Sequence, residues 1–443
     1  MRHINYLLLS FLIIVLAIPN YCTAQMQSVI TTSTKRVIPV PNVKPIKSLP
    51  LDNQTQILTL SRYESGNTTA SVFSLMTNGN VNLSYSYFTN LIIEDFVLCH
   101  NLVYFCGQDL TANCGFFCVV KVNDLINGNV LFYKYDLPIF NSFSKIDYYM
   151  DHNRKEKVSL ISNTYTFVDV DLMTITATEY YYATGISLVD VKHTKDFVVV
   201  LAQINNGLFG LYAFDKDSVN NFFGYYFSTP PLYTYNDNTF INTTDYRYLL
   251  EVLEAESANN VAVGFSANDI YSGTEVCNID LSNSMNIVNT QAVTSTNEGR
   301  SFLYDMKYST TYKGLICLIW NSAKNLTDNI FMMYPSKTQS YTTPITIPEL
   351  NIRRHLLYYL TPYDDKYCLA GGNIHNSVYL FDKRILDYYN LNCIDMDTFI
   401  VASIDKAVNK EDRIHLNYTT TPIGSSTIMS NGPISNGYNI ICQ

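Results

Sequence analysis

The chain is short of charge, has a single tryptophan, and lacks any apolar run long enough to cross a bilayer as a helix. Each shortage excludes something. Lys, Arg, Asp and Glu together make up 15% of the residues, too few for long solvated helices or for a charged disordered chain. The formal net charge of −9, without basic clusters, sets nucleic acid aside as a partner. A spanning helix needs about 20 consecutive apolar residues, and no stretch supplies them. The mature chain is therefore expected to carry no transmembrane segment. Patterns for a zinc protease, a P-loop, a nucleophile elbow and a dinucleotide fold are all missing. Asp215-Lys-Asp217 opens like a calcium loop, but Asn220 stands where the sharp-turn glycine belongs and Tyr226 where the bidentate glutamate belongs.

What is abundant is aromatic and β-branched: 36 Tyr and 23 Phe, with Val and Ile, arranged in short runs. At the start, Arg2 and His3 precede an apolar run from Tyr6 to Ile18, and Cys22-Thr23-Ala24 gives small residues before a cut at Gln25. Residues 1–24 read as an export signal, which predicts a periplasmic, cell-surface or extracellular protein. Residues 25–47, with Pro39, Pro41 and Pro45, read as an extended leader with one strand expected at Arg36–Val40, and 48–443 as one domain with a C-terminal closing segment.

The domain repeats itself. Residues 91–135 hold four strand-like runs separated by turn formers, an antiparallel meander that cannot cover both its faces alone. An apolar second strand recurs as QILTL (56–60), LVYFCG (102–107), KVSLIS (157–162), FVVVLAQ (197–203), NVAVGFS (260–266), GLICLIW (314–320) and KYCLAGG (366–372). A third strand follows each time, from ASVFSLM (70–76) to SVYLFDK (377–383). Spacings of roughly 40 to 63 residues are too long for a β-helix and too short for sandwich domains. The pattern predicts an all-β propeller of four-stranded antiparallel blades around a channel, seven blades with eight as the alternative, closed by its N- and C-terminal segments.

In this repeat pattern residues 48–402 resemble exported bacterial β-propeller proteins. No named propeller family lends its chemistry. Trp320 is followed by Asn321 and not by the aspartate of WD40 blades, only Gly371-Gly372 matches the paired glycines of kelch blades, and the Asp-box of sialidases is absent.

Four sets of residues stand out. Asp95, Asp147, Asp190, Glu251 and Asp305 each end an apolar lead-in just before the second strand, so in one common register they would ring the channel. They either tie blades together through charge-assisted hydrogen bonds or converge on a polar ligand or a cation such as calcium; the repetition favours the structural role. Residues 220–245 form the most unusual stretch, where Tyr233, Tyr235, Asn236, Asp237 and Asn238 set aromatic faces beside amides and a carboxylate, as a sugar-binding loop needs, though the abundance of tyrosine favours a loop that covers a blade edge. Removal of Cys22 leaves an odd nine cysteines. Cys106 and Cys114 sit across a hairpin mouth and could form a disulfide, and a Cys393–Cys442 disulfide would anchor the tail; the spacing of Cys99, Cys106, Cys114 and Cys118 beside His100 is not a paired zinc pattern. The histidines are scattered and read as turn or surface residues.

The function this predicts is binding of a glycan, peptide or protein partner by loops at one end of the ring, without catalysis and without a cofactor. A carbohydrate-active enzyme with two carboxylates at the channel mouth is the alternative, and a structural or adhesive surface element the third reading.

Overall fold

In the computed structural model the described residues are 35–37, 43–51, 56–65, 68–77, 84–127, 131–162, 165–182, 186–204, 208–218, 221–228, 232–233, 240–241, 246–254, 258–267, 274–282, 285–295, 301–310, 313–321, 327–333, 345–346, 357–362, 367–372, 378–382, 399–403 and 417–429. Strands dominate them, joined by one short helix, Val122–Asn127.

The strands fall into successive antiparallel sheets, each folded as a meander. The first sheet runs Lys44–Pro50, Gln56–Ser65, Thr68–Thr77, Ser84–Thr89, and the second Leu91–Cys99, Leu102–Asp109, Cys114–Lys121, Leu131–Leu137. The third is Phe143–Met150, Glu156–Ser162, Thr166–Asp171, Thr176–Tyr181, and the fourth Ile186–His193, Phe197–Ile204, Leu208–Asp215, Phe222–Ser228. The fifth is Tyr246–Leu253, Asn260–Ala267, Thr274–Asp280, Asn286–Ser295, and the sixth Ser301–Ser309, Gly314–Asn321, Thr327–Met333, Ile345–Thr346. Leu357–Pro362, Tyr367–Gly372 and Val378–Asp382 make three strands of the seventh, and Lys35–Val37 from the N-terminal side supplies its fourth. Each apolar run singled out in the sequence forms the second strand of its own sheet.

First strands pack on first strands from each sheet to the next, and the first strand of the seventh sheet touches that of the first. This is a β-propeller arrangement, with first strands central and fourth strands peripheral. The apolar core lies between the sheets in layers. Phe73, Phe88, Phe96, Phe105 and Phe116 fill the layer between the first and second sheets, with Phe73 edge-on to both Phe88 and Phe96. Full burial of such a ring stabilises by about 1.5–3 kcal/mol, and the edge-on pairs add about 0.5–1.5 kcal/mol each. Val199, Leu211, Phe209 and Phe265 are among those that do the same between the fourth and fifth sheets.

One expectation about the chain ends changes. Within the extended segment 25–47, Lys35–Val37 is a strand overlapping the one expected at 36–40, and Lys44–Pro50 starts before residue 48. Among the described residues, no C-terminal strand joins the N-terminal one in the seventh sheet. Phe399–Ser403 adds a fifth strand to the fifth sheet, Asn417–Pro422 to the third, and Gly424–Met429 to the second. The physical reason is that outer strands present unpaired N–H and C=O groups, and an extended segment satisfies them wherever it runs along the perimeter.

Candidate functional site

The central strands carry the charged residues that the sequence pointed to, and β-bulges decide where each one sits. Register shifts occur just before Lys47, Asp95, Lys145, Asp190, Asp305 and Tyr359, in the first, second, third, fourth, sixth and seventh sheets. A bulge gives one strand an extra residue and re-aims the side chain after it. These six positions are equivalent in the register of their first strands and make one level of the stack. Asp147, Lys192 and Lys307 lie two residues further on, hence on the same side of their strands and one level along. The fifth sheet has no such shift, and the contacts of Glu251 with Lys307 and with the N–H of Tyr308 put it at this second level.

The five acids therefore do not share one register. Asp95, Asp190 and Asp305 are bulge residues; Asp147 and Glu251 are not. Each bulge aspartate accepts the N–H of the residue after it, from Phe96, Val191 and Met306, at 2.9 Å in all three cases. A short carboxylate suits this local hydrogen bond, which accounts for aspartate in these sheets. Asp147 and Glu251 instead reach the next sheet: Asp147 meets Nδ1 of His193 at 2.7 Å, and Glu251 accepts the N–H of Tyr308 at 3.0 Å.

Lysines interleave with the acids. From the first sheet to the fourth, the bulge level reads Lys47, Asp95, Lys145, Asp190, and the second level from the third sheet to the sixth reads Asp147, Lys192, Glu251, Lys307. Signs alternate from sheet to sheet, so neighbours attract across each junction. Lys47 Nζ lies 2.7 Å from Asp95, whose other oxygen accepts the N–H of Ile146, so that one carboxylate joins three sheets. Lys307 Nζ lies 3.4 Å from both Glu251 and Asp305. Burial opposes charge on Asp95, but Lys47, with Lys145 and Lys192, outweighs it and holds the carboxyl below its ordinary range. Burial also draws the Lys47 ammonium down, Asp95 offsetting part of that. At Lys307 burial is outweighed by Asp305, Glu251 and Asp190, and the ammonium is held well above its usual value. Buried charges paired in this way tie the sheets together.

Sequence reasoning missed the lysines and His193. The signal was present in Lys145-Ile-Asp147, Asp190-Val-Lys192 and Asp305-Met-Lys307, where a spacing of two puts both charges on one side of a strand.

The other candidates separate. Tyr233 ends the two-residue strand Leu232–Tyr233, paired with Phe240–Ile241, and Tyr235, Asn236, Asp237 and Asn238 lie outside the described residues. Cys106 and Cys114 are both free thiols. The hairpin register explains this: Cys114 pairs with Asp109 while Cys106 faces Phe117, three positions away and on the opposite side of the strand. Burial pushes the Cys106 thiol well up and Cys114 up to about 11, which leaves both poor nucleophiles. Cys393 and Cys442 lie outside the described residues. Among the described residues no three metal-ligating side chains cluster as a cation would need.

A concavity of about 470 Å³ opens at the junction of the first two sheets, lined by Leu51, Gln56, His100, Asn101, Leu102, Lys121, Val122 and Asn123. These residues sit where first strands turn into second ones and where a third strand ends, so all belong to one end of the ring. The turn at His100 is tight, with φ of 52° at that residue.

No protein-family model matches the chain, and no curated protein does. Among solved structures, the β-propeller domain of Cps50 (Swd1) from Myceliophteria thermophila aligns at a TM-score of 0.49 and 9% identity, covering 79% of this chain and 99% of that one. Drosophila Semaphorin 2a aligns at 0.46 and 8% identity, covering 79% and 75%. The β-propeller domain of the Trilobed protease from Pyrococcus furiosus aligns at 0.45 and 9% identity, covering 78% and 96%.

Proposed function

We propose that the chain is an exported, closed seven-bladed propeller that acts as a non-enzymatic binding module, holding a glycan, peptide or protein partner with loops at one end of the ring. The observation that carries this reading is the concavity at the first junction. Its carboxamides (Gln56, Asn101, Asn123), the imidazole of His100 and the ammonium of Lys121 stand beside Leu51, Leu102 and Val122. Directed donors and acceptors next to apolar faces are what recognition of a polar ligand requires. The channel supports the same reading from the other side, since Asp95, Asp147, Glu251 and Asp305 are engaged by neighbouring sheets or backbone and not held as a free acid–base pair.

The test is a binding screen of the secreted protein against glycan and peptide panels, repeated with an Asn101→Ala/Lys121→Ala/Asn123→Ala variant. Saturable binding without turnover, lost in the variant, is the expected result. Product formation, or binding indifferent to the triple substitution, overturns the proposal. N-terminal sequencing of secreted protein tests export, with Gln25 as the expected first residue.

A further inference from the structure

The carboxylates between the third and fourth sheets are met by histidines, with Lys157 donating to the Lys216 carbonyl at 3.4 Å, whereas lysine and arginine meet those between the first and second and between the fifth and sixth. Lys47 with Asp95 and Arg62 with Glu94 bridge the first two sheets, and Lys307 with Glu251 bridges the fifth and sixth. At the third-to-fourth seam each sheet gives a histidine to the other's carboxylates. His193, on the central strand of the fourth sheet, places Nδ1 2.7 Å from Asp147 of the third. His152, in the first turn of the third sheet, places Nδ1 3.1 Å from Asp217 and Nε2 3.3 Å from Asp196, both in turns of the fourth. Its backbone N–H also donates to Asp217, at 3.0 Å.

At His152 a carboxylate faces each ring nitrogen. A neutral imidazole has one N–H and one lone pair, so with a carboxylate on each ring nitrogen one contact sets lone pair against oxygen; the imidazolium donates to both. Polar and charged groups surround the acceptors. The amide of Asn259, acting against burial and helped by Lys195 and His152, holds the Asp196 carboxyl below its usual range. Asn153 approaches Asp217 at 3.5 Å, and the N–H of Asp217 donates to Asp215. Lys216 and Lys192 act on Asp147, beside His193. Histidine is the side chain whose ordinary titration spans pH 5 to 8.

We propose that this seam is a pH-operated joint of the ring, clasped when His152 and His193 carry protons and loosened when they lose them. Acid turns the His152 contacts into a bridged ion pair and the His193 contact into a second one, both crossing the same seam. With both imidazoles neutral, each keeps one N–H donor, and one of the two His152 contacts sets a lone pair against a carboxylate oxygen. The clasp stands at the end of the ring that carries the concavity, because residues 150–155, 194–196 and 215–218 are likewise turns after first and third strands. The inference does not rest on what the concavity binds.

The test is hydrogen exchange of the whole protein read by mass spectrometry, at pH 5.5 and 8, corrected for the intrinsic rate, in low salt. Because His152 is half exposed, its contacts count as surface ion pairs, and the effect expected is about two- to fivefold greater protection of residues 150–155 and 215–218 at the lower pH. His152→Gln keeps a polar side chain that does not titrate, and it removes most of that difference; His152→Gln/His193→Gln removes all of it. The first and second sheets serve as internal reference and do not change with these variants. Equal protection at both pH values in the wild type overturns the proposal, as does a pH difference that survives the double substitution. Should the double variant fold poorly, His152→Gln alone decides between these outcomes.

Discussion

Replacement of Asp95 by alanine is the sharpest test of the idea that channel charges hold the sheets together. The carboxylate is buried, 2.7 Å from Lys47 of the first sheet, and accepts the N–H of Ile146 from the third at 3.3 Å and that of Phe96 at 2.9 Å. Removing one member of a buried pair costs about 3–5 kcal/mol because the other is left without compensation. Lys47 keeps 23% of its side chain exposed, and solvent screening lowers the expected loss to about 2–3 kcal/mol. Urea unfolding of wild type, Asp95→Ala, Lys47→Met and the double variant measures it. The double variant is expected to be more stable than Asp95→Ala, with a coupling energy of about 1–2 kcal/mol, since the stranded ammonium is gone. The pH dependence has a fixed sign. The folded carboxyl ionises more readily than the unfolded one, so its contribution is present above the unfolded value near 4 and is lost as pH falls through the lower folded value. A loss below about 0.5 kcal/mol for Asp95→Ala, or no coupling to Lys47, would refute the reasoning.

Gly107→Ala is expected to prevent folding or to cost well over 3 kcal/mol, because a Cβ there would meet the Ile92 carbonyl oxygen at 1.9 Å, and backbone cannot yield; soluble expression with a native melting curve would contradict it. Gly264→Ala is expected to cost less in the same melting assay, since the nearest atoms are the flexible ends of Leu303 at 2.6 Å and Met306 at 3.0 Å. Asp169→Asn is expected to raise stability at pH 8 by about 2 kcal/mol and to change little at pH 4: burial lifts this carboxyl to about 6, so ionisation costs the folded state progressively from about pH 4 to pH 6. Urea midpoints at the two pH values check the sign, and an equal effect at both would be the wrong outcome. The thiols of Cys106, Cys118, Cys277 and Cys317 are expected to resist a thiol reagent in the native protein and to react in denaturant, as their burial implies; rapid native labelling at these positions counts against the packing described.

The sequence by itself determined the repeat. A strand such as FVVVLAQ or GLICLIW is apolar on both faces, and such a strand is stable only between two other sheets, so its recurrence dictates stacked blades. The acids of the first strands were legible as a set, since a charge after a similar apolar lead-in recurs from repeat to repeat. What sequence reading could not reach was their register. Asp95 and Asp147 follow similar lead-ins, yet the bulge of the second sheet falls just before Asp95, and that of the third falls before Lys145, two residues short of Asp147. A one-residue insertion in a ladder leaves no mark in composition or periodicity, and it decides which side chains share a level. Pairings of the C-terminal segments were out of reach as well: Phe399–Ser403 on the fifth sheet, and Asn417–Pro422 and Gly424–Met429 on the third and second. Strand edges are chemically alike, so only the path of the folded chain around the perimeter selects which edge each segment completes. His152 and His193 belong to the same class. Their carboxylates are 65 and 46 residues away in sequence, and only the stacking of the third sheet against the fourth brings them within hydrogen-bond reach.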